Sequence, residues 1–395
     1  MDVQVRQGDT LWYYASLFNI PLQLIIDSNP QVAPDALYIG QRIIIPGYTT
    51  RTYSIQAGDT YWRLATGQGI ELDSLYLLNP NVNPDNLQVD QTILLPDRVT
   101  SRLINGNRPY DFEALNLDLD TLLEIYPFMR QEAIGSSVMG KELTELQIGN
   151  GPKIVHWNGS FHANEWITTA IIMQFLNDYL LALTNQEPIR GINVSPFYDQ
   201  VTLSIVPMVD PDGVDLTLNG PPPGRYGEEA LAINNGITDF SGWKANIRGV
   251  DLNNQYPAKW DVEAARKPTQ PAPRDFPGYQ PLTEPESIAM AELAGERQFD
   301  RMLAFHTQGE VIFWGYEGLE PPESEVIVNE FYRVSGYEPI QYVDSFAGYK
   351  DWFIKVWQRP GFTVELGEGV NPLPLSQFDE IYQETLGIFL ASLYM

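Results

Sequence analysis

The sequence contains no cysteine and only three histidines among its 395 residues. Without thiols there can be neither disulfide bonds nor thiolate metal sites, so a transition metal would have to be bound by histidine and carboxylate side chains. The possible imidazole ligands are therefore His156, His162 and His306. The absence of cysteine does not identify the cellular compartment.

Basic residues are scarce relative to acidic ones, with 24 Lys and Arg against 51 Asp and Glu, a formal net charge of −27. Nucleic acids are bound through clustered Lys and Arg side chains that neutralise phosphates. No such cluster is present, and a polyanion would be repelled by the overall charge. We therefore expect no nucleic-acid partner.

Long uninterrupted apolar runs are also missing. The longest run, residues 167–183, contains Gln174, Asn177 and Asp178, which is typical of a buried amphipathic helix rather than a membrane span. Residues 1–6 lack the charged and apolar regions of a secretory signal, so we expect no signal peptide and no membrane partner. With 395 residues, the chain is long enough for two or three domains, and at 44% hydrophobic residues it can bury a large core.

The first hundred residues repeat at a constant offset. The stretch 5–12 returns as 55–62, Asn29-Pro30 returns as Asn79-Pro80, and 43–46 returns as 93–96. A repeat without gaps indicates two copies of one small module, which we place at residues 1–47 and 51–97 with a polar linker at 47–51. In each copy a strand leads into Gly-Asp-Thr, which can cap a helix; a second helix ends near Asn-Pro, and an apolar strand closes the unit.

Both copies resemble LysM domains, because each contains Gly-Asp-Thr-x-Trp, Asn-Pro and an apolar strand before proline. The resemblance implies binding of glycans that contain N-acetylglucosamine, such as peptidoglycan or chitin. It also implies a sugar groove between two loops of each module, formed by Gly8, Asp9, Thr10, Asn29 and Pro30, and by Gly58, Asp59, Thr60, Asn79 and Pro80. These residue types also form turns and helix caps, and the two interpretations are compatible.

From residue 104 to 395, apolar strand-like runs alternate with helical patterns, which indicates an α/β domain. The pattern predicts strands at 153–157, 201–209, 302–306 and 361–366, and helices at 164–183, 284–297, 323–334 and 375–394. The proline- and charge-rich residues 263–285 are predicted to form a surface loop.

His162 and Glu165 are three residues apart at the start of a predicted helix, so both side chains can reach one cation. Catalytic zinc usually has three protein ligands, and His306 ends an apolar run that is typical of a strand. The carboxyl ends of strands are where open α/β sheets carry their chemistry. Alone, however, the His-x-x-Glu spacing is common by chance, and a lone histidine after an apolar run is more often packed than ligating.

Four further stretches, 207–213, 249–253, 306–309 and 362–366, occur in the order and form seen in zinc carboxypeptidases. The resemblance covers residues 104–395 and implies a mixed sheet flanked by helices. It implies one zinc ion per chain, bound by His162, Glu165 and His306. It also implies that Glu365 is the general base and that Asp251 orients His162.

Two departures from that family concern the substrate. Where the family has Asn-Arg to grip a free C-terminal carboxylate, this chain has Asn253 and Asn254. An amide cannot replace a bidentate arginine, so we expect that the residue after the scissile bond has no free α-carboxylate. For the cation that stabilises the oxyanion, Arg248 is the nearest candidate and Lys244 is the other; spacing does not decide between them.

The residue that would contact the substrate side chain after the cut is Lys350. We align Glu365 with the family's general base and Asp351-Trp352 with the family's Asp-Trp pair, with no gap between them. This alignment places Lys350 at the floor of that pocket, where a cation favours an acidic side chain. A solvated lysine paired with its neighbour is equally consistent with the sequence. With a shift of one residue, Tyr342 corresponds to the mobile tyrosine above the family's active site.

The whole chain resembles bacterial endopeptidases that pair two LysM domains with this catalytic domain and cut between D-glutamate and meso-diaminopimelate. The implied partners are peptidoglycan glycan strands and stem peptides, and the implied location is the cell wall or spore, or the cytoplasm until release. One alternative is a carboxypeptidase that trims acidic residues. Another is a non-catalytic wall-binding protein, against which the intact set His162, Glu165, His306 and Glu365 weighs. Oligomeric state and the preferred stem-peptide length do not follow from the sequence.

Overall fold

The computed structural model describes residues 1–395, and it divides into two compact units. The first unit comprises Met1–Ile104, Asp118–Met129 and Asn177–Ser195. The second unit comprises Asn105–Leu117, Arg130–Leu176 and Pro196–Met395. The first unit therefore contains both repeated modules, and the second contains all residues predicted to act in catalysis.

Each repeated module has the predicted order of strand, helix, helix and strand. The first contains β1 (Asp2–Gln4), α1 (Leu11–Phe18), α2 (Leu22–Asp27) and β2 (Arg42–Ile44). The second contains β3 (Tyr48–Ser54), α3 (Tyr61–Gln68), α4 (Leu72–Leu78) and β4 (Thr92–Arg98). In each module the two strands pair antiparallel, and the module encloses its own small core.

The helix starts of the two modules follow from the repeated threonine. Thr10 and Thr60 are the N-caps of α1 and α3, and their hydroxyl oxygens accept hydrogen bonds from the amides of Tyr13 and Arg63 at 3.0 and 3.1 Å. Such caps satisfy one of the amide groups that a helix leaves unpaired at its start. The Gly-Asp-Thr motif therefore contributes to the fold of both modules.

Ion pairing and hydrogen bonding also join the two modules. Asp73, in the first turn of α4, bonds to the guanidinium of Arg6 and to the hydroxyl of Tyr13 from the first module. The bond to Arg6 holds the pKa of Asp73 below its usual value, although burial opposes that shift. The Asp73 carboxylate thus holds the first module against the second.

The polar linker predicted at residues 47–51 is wrong. Strand β3 begins at Tyr48 and pairs with β4 without interruption, from Tyr48 opposite Arg98 to Ser54 opposite Thr92. Only Tyr48 is buried along this strand, and the sequence of the strand has little of the apolar alternation that would indicate one. Its threonines and tyrosines are nevertheless residues that favour strands.

The rest of the chain forms one eight-stranded sheet and its helices. The strands are β5 (Arg130–Ser136), β6 (Glu142–Ile148), β7 (Lys153–Asn158), β8 (Val201–Val206), β9 (Arg301–His306), β10 (Val311–Phe313), β11 (Glu338–Ile340) and β12 (Gly361–Glu365). The helices are α5 (Phe112–Ile125), α6 (Ile167–Asn185), α7 (Ser195–Gln200), α8 (Pro211–Asn219), α9 (Arg225–Ile233), α10 (Trp260–Ala264), α11 (Pro285–Arg297), α12 (Glu323–Ser335), α13 (Tyr349–Trp357) and α14 (Phe378–Tyr394). Short 3-10 turns cover Ala163–Glu165, Leu252–Asn254 and Leu375–Gln377.

The strand order in the sheet is β11-β10-β12-β9-β7-β8-β6-β5. The central strands β12, β9, β7 and β8 are parallel, whereas β10 and β6 pair antiparallel with their inner neighbours. All six residues of β9 are buried, as expected for a parallel strand covered on both faces. The predicted mixed α/β fold is confirmed, and the four predicted strands are its four central strands.

The longest apolar helix lies within the protein core. Residues Ala163–Asn185 are long and apolar enough to cross a membrane by composition, but 89% of their most apolar window is buried inside the protein. Leu176, Ile172 and Phe175 are among its fully buried side chains. The hydropathy of this helix is explained by packing.

The prediction of a surface loop at residues 263–285 is only partly correct. Many of its side chains are exposed, but Phe276 is buried, and its carbonyl accepts a hydrogen bond from the Asp251 amide at 2.7 Å. The carbonyl of Pro273 accepts hydrogen bonds from the amides of Lys244 and Ala245. This segment therefore packs beside the residues of the predicted active site.

Candidate active site

The predicted ligands lie at the carboxyl ends of neighbouring parallel strands. His162 and Glu165 follow β7, with His162 as the N-cap of the 3-10 turn Ala163–Glu165. His306 is the last residue of β9, and Glu365, the last residue of β12, is its partner in the parallel register. The topology of the sheet thus brings together residues that are up to 203 positions apart, from 162 to 365.

Three of these side chains converge on one point. The Nδ1 atoms of His162 and His306 are 3.1 Å apart, and each lies 2.9 Å from a different carboxylate oxygen of Glu165. All three residues are buried. Ligand atoms at about 2.1 Å from a tetrahedral zinc ion would be about 3.4 Å apart, so this spacing is close to that of a three-ligand metal site.

The protonation of His162 shows why a cation fits between these atoms. Its Nε2 atom lies 3.2 Å from Oδ1 of Asp251, to which an N–H would donate, and this leaves Nδ1 as an acceptor. That lone pair then faces the Glu165 carboxylate, which is also an acceptor. Two facing acceptors repel one another unless a cation lies between them, so the donor set fits a divalent metal.

The buried charges favour the metal-binding forms of Glu165 and His306 but not of His162. Burial lowers the pKa of His162, but the negative charges of Glu165 and Asp251 outweigh burial and raise it, so a metal ion would have to displace a proton from that ring. Burial alone would raise the pKa values of Glu165 and Asp251, but His162 and His306 around Glu165, and Lys244 and His162 around Asp251, hold both well below their usual range. Burial lowers the pKa of His306, which favours a neutral ring. Deprotonated carboxylate and neutral imidazole are the forms that coordinate zinc.

Glu365 has a different environment. Burial, and next the negative charge of Glu165, raise the pKa of Glu365 to about 8, while Lys244 and His162 oppose that shift. A cation bound by the histidines would favour the ionised form of Glu365. A carboxylate whose pKa is near neutrality can accept a proton in one step and return it in the next.

The convergence of these residues agrees with comparison to known proteins. Residues 116–387 match the zinc carboxypeptidase family, peptidase M14. The chain belongs to this family. Residues 3–46 and 53–96 match the LysM domain, so this zinc carboxypeptidase homologue carries two LysM domains.

Individual relatives cover the whole chain or its catalytic part. The chain is 63% identical over 396 residues to gamma-D-glutamyl-L-diamino acid endopeptidase 1 of Lysinibacillus sphaericus, covering 100% of both chains. It is 45% identical over 302 residues to the uncharacterized protein YqgT of Bacillus subtilis, covering 75% of this chain and 80% of that one. The structure of bovine thrombin-activatable fibrinolysis inhibitor matches with a TM-score of 0.57 at 18% identity, over 73% of this chain and 97% of the other, which shows a shared fold.

A cavity of about 170 Å³ opens beside the cluster of His162, Glu165 and His306 in this zinc carboxypeptidase homologue. The predicted site residues that line it are His162, Asp251, Asn253, Asn254, Lys350 and Glu365. The cavity contains Asn254 and no arginine, so an arginine clamp for a substrate carboxylate is absent from its wall. Asn253 has a structural contact as well, because its Oδ1 accepts the amide of Tyr349 at 3.0 Å.

Of the two candidates for oxyanion stabilisation, only Lys244 lies in the cavity wall. Its ammonium is 3.7 Å from Oδ2 of Asp251. Burial lowers the pKa of Lys244, but the charges of Asp251 and Glu165 outweigh that effect and raise it, so the side chain stays charged. Arg248 lies outside the cavity wall with 45% of its side chain exposed, and it pairs with Glu284 at 3.4 Å. The structure therefore does not bring Arg248 to the site.

Lys350 and Tyr342 occupy different environments. Lys350 is only 5% exposed, and its ammonium bonds to the carbonyl of Gly315 at 2.7 Å and to Asp351 at 2.6 Å. Tyr342 is 54% exposed, and its hydroxyl donates to Glu320 at 2.7 Å; it does not line the cavity beside His162, although its neighbour Val343 does. Lys350 is thus a buried wall residue, and Tyr342 lies outside that wall.

Sequence reasoning missed several residues of the cavity wall. Lys267 and Asp275 come from the segment predicted to be a surface loop, while Phe313 and Thr363 come from β10 and β12. Of these four residues, only Thr363 could have been inferred from the sequence, because it lies two residues before Glu365. His156 was the remaining histidine; it is buried away from this site, stacked on Phe299 and bonded to Ser204 at 3.0 Å.

In the LysM domains, several predicted glycan-binding side chains are already bonded within the module. Asn29 and Asn79 are buried, and each bonds through both side-chain atoms to the closing strand, at Ile44 and Leu94 respectively. Asp9 accepts hydrogen bonds from the amide of Arg6 and the hydroxyl of Tyr14. These side chains shape the loops, so their direct contribution to a glycan surface would be small.

We expect the protein to bind one zinc ion per chain, and to lose it when Glu165 is replaced by Ala. Two histidines alone provide too few donors for a stable catalytic zinc site. Metal analysis after dialysis would measure the stoichiometry, and differential scanning calorimetry would show a higher unfolding temperature with zinc than with a chelator. Glu284→Ala is the control, because Glu284 is a buried acid that bonds to Asn246 and not to the cluster. Wild-type protein without stoichiometric metal would contradict this prediction.

Proposed function

We propose that this protein is a zinc-dependent endopeptidase that hydrolyses the bond between γ-D-glutamate and meso-diaminopimelate in peptidoglycan stem peptides. Full-length identity of 63% to a named gamma-D-glutamyl-L-diamino acid endopeptidase is the observation that carries the proposal. The cavity supports it, because Asn254 lines its wall and no arginine does, and the motif resemblance implies that Asn254 replaces the carboxylate-binding arginine of the family's exopeptidases. The trimming of C-terminal acidic residues is therefore the less favoured activity.

The proposed catalytic step divides among five side chains. His162, Glu165 and His306 would hold zinc, which when bound lowers the pKa of water and polarises a carbonyl. Glu365 accepts the proton of the attacking water and passes it to the nitrogen of the leaving diaminopimelyl amine. The ammonium of Lys244 stabilises the negative charge that develops on the carbonyl oxygen.

Asp251 positions this machinery without touching the reacting atoms. Its Oδ1 faces Nε2 of His162 at 3.2 Å and accepts the amide of Asn253 at 3.1 Å, so one carboxylate orients both a ligand and the turn that carries Asn254. Its Oδ2 faces Lys244. A single buried carboxylate thereby connects a metal ligand to the group that stabilises the oxyanion.

The substrate side chain enters toward Lys350. Diaminopimelate has two carboxylates; in a longer stem peptide the first is in amide linkage, which suits Asn254. The second is free at the far end of the side chain, and Lys350 supplies a buried cation for it.

The LysM domains anchor the enzyme to glycan strands, which places it at the cell wall. Trp12 and Trp62 follow the repeated Gly-Asp-Thr motif and are 70% and 66% exposed, and tryptophan is enriched at binding interfaces. Pro30 and Pro80, beside the second loop of each module, are also exposed. The apolar face of a sugar ring is a suitable partner for such an aromatic surface.

Mass spectrometry of a defined muropeptide after digestion tests the proposed bond. We expect a fragment that begins with diaminopimelate and retains its C-terminal alanine, because hydrolysis occurs at its amine. Glu365→Gln should bind zinc normally and yield no such fragment, since the amide keeps the shape of the carboxylate but cannot accept the proton. Release of the terminal alanine alone would show a carboxypeptidase instead.

Replacement of Lys244 by Met should lower kcat by about a hundred- to a thousandfold, the range found when one oxyanion donor is removed. Arg248→Met is the matched control and should retain nearly full activity, because its guanidinium pairs with Glu284 outside the cavity. Steady-state kinetics on one soluble muropeptide would compare the two variants. The opposite order of effects would return the oxyanion assignment to Arg248.

In the full-length protein, the double substitution Trp12→Ala and Trp62→Ala should weaken binding to insoluble peptidoglycan by about tenfold or more, equivalent to about 1.4 kcal/mol. Hydrolysis of soluble muropeptides should not change, since both residues lie in the LysM domains. Cosedimentation measures binding, and Tyr332→Ala, at another exposed aromatic, is the control. Unchanged sedimentation of the double variant would place the glycan surface elsewhere.

A further inference from the structure

Lys350 and Asp351 form a buried ion pair at the start of α13, with 2.6 Å between Nζ and Oδ1. Each residue is only 5% exposed. Both line the cavity beside His162, and both also line a second, adjoining cavity of about 580 Å³. The pair therefore lies on the wall that the two cavities share.

Both members of the pair retain capacity for further hydrogen bonds. An ammonium has three N–H donors, and in Lys350 one faces Asp351 and one faces the carbonyl of Gly315. The Asp351 carboxylate has about four acceptor positions. It uses one for Lys350 and one, at 3.3 Å, for the amide of Gly348 that begins the helix. A donor and at least one acceptor remain for a ligand.

Fold stability alone does not explain this arrangement. Buried ion pairs often contribute less than apolar residues of the same size, because both charges lose their hydration. The amide of Gly348 needs only the acceptor on Asp351, so the helix start does not account for the lysine. A cation and an anion, side by side at the wall of two cavities, match a ligand that carries the opposite charges side by side.

We propose that the Lys350–Asp351 pair binds the free α-amino acid centre at the far end of the substrate side chain. Lys350 would bind its carboxylate and Asp351 its ammonium group. This inference rests on the proposed function, since meso-diaminopimelate carries such a centre. Asp351 thus adds an anionic half to the subsite. Such a subsite selects against lysine, because lysine lacks the distal carboxylate. It also selects against simple acidic residues, because they lack the ammonium group.

The second cavity provides room for that centre. Besides the pair, its lining includes Gly315, Tyr316 and Phe346. Tyr316 is buried, and its hydroxyl interacts with the Glu317 carboxylate, which also lines this cavity. The centre would thus lie past the ion pair, on the side of Tyr316.

A second lysine–aspartate pair lines the cavity beside His162 and provides an internal comparison. Lys267 and Asp275 are 3.6 Å apart, with 24% and 32% of their side chains exposed, and Lys267 also faces Glu263 at 3.4 Å. Exposed pairs are screened by water and salt and contribute little. Asp275 and Lys267 do not line the second cavity. The buried pair is therefore the stronger subsite.

Three soluble substrates that differ only after the γ-D-glutamyl bond test the proposal. They carry diaminopimelate, lysine, or 2-aminopimelate, which has the distal carboxylate but no distal ammonium. Lys350→Met should lower kcat/KM by about ten- to a hundredfold on the two substrates with the carboxylate and little on the lysine substrate. Asp351→Asn, which keeps an acceptor for Gly348, should lower it on the two substrates with the ammonium and little on 2-aminopimelate.

Equal losses on all three substrates would show that the pair only supports α13 and would overturn the proposal. The proposal would also be overturned if Lys267→Met and Asp275→Asn showed the substrate pattern expected for Lys350→Met and Asp351→Asn. If Asp351→Asn does not fold, inhibition of the wild type by free diaminopimelate must exceed that by lysine or 2-aminopimelate, and equal inhibition overturns the proposal. A wild type that cleaves all three equally contradicts the subsite alone, whereas one that cleaves no γ-D-glutamyl bond contradicts the proposed function.

Discussion

The active site depends on the parallel pairing of β12 with β9, in which Glu365 lies opposite His306. Because side chains alternate along a strand, a register shift of one residue would turn either side chain away from the cavity. The adjacent strand β7 then delivers His162 and Glu165 to the same edge of the sheet. The close packing of apolar side chains on both faces of the sheet selects this register, and the same packing therefore sets the distances between the chemical groups.

Prediction from the sequence succeeded where a residue type and its spacing are compatible with only one kind of local structure. Fully buried parallel strands appear as apolar runs, and for that reason the four central strands could be predicted, together with the residues at their ends. The early start of β3 at Tyr48 could not, because its polar residues lack apolar alternation. The short strands β10 and β11, three residues each, give no periodic signal at all.

Spacing also could not determine which cation faces the site. Lys244 and Arg248 are four residues apart, and the direction of each depends on a turn held by residues far away in the chain. The amide of Lys244 bonds to Pro273, while the guanidinium of Arg248 is drawn to Glu284. The contribution of Lys267 and Asp275 was hidden for the same reason, since the composition of residues 263–285 indicates exposure but not what the segment covers.

The bonds of Asp73 to Arg6 and Tyr13 connect the two LysM domains within the first unit. If these bonds hold the domains in place and each domain holds a saccharide, the two binding events are separated by a fixed distance and orientation. A glycan of the right pitch would then meet the second domain at high effective concentration once the first is occupied, with a corresponding gain in avidity. A strand with different spacing would engage only one. The spacing between the two LysM domains would in that case determine which glycan strands are bound most tightly.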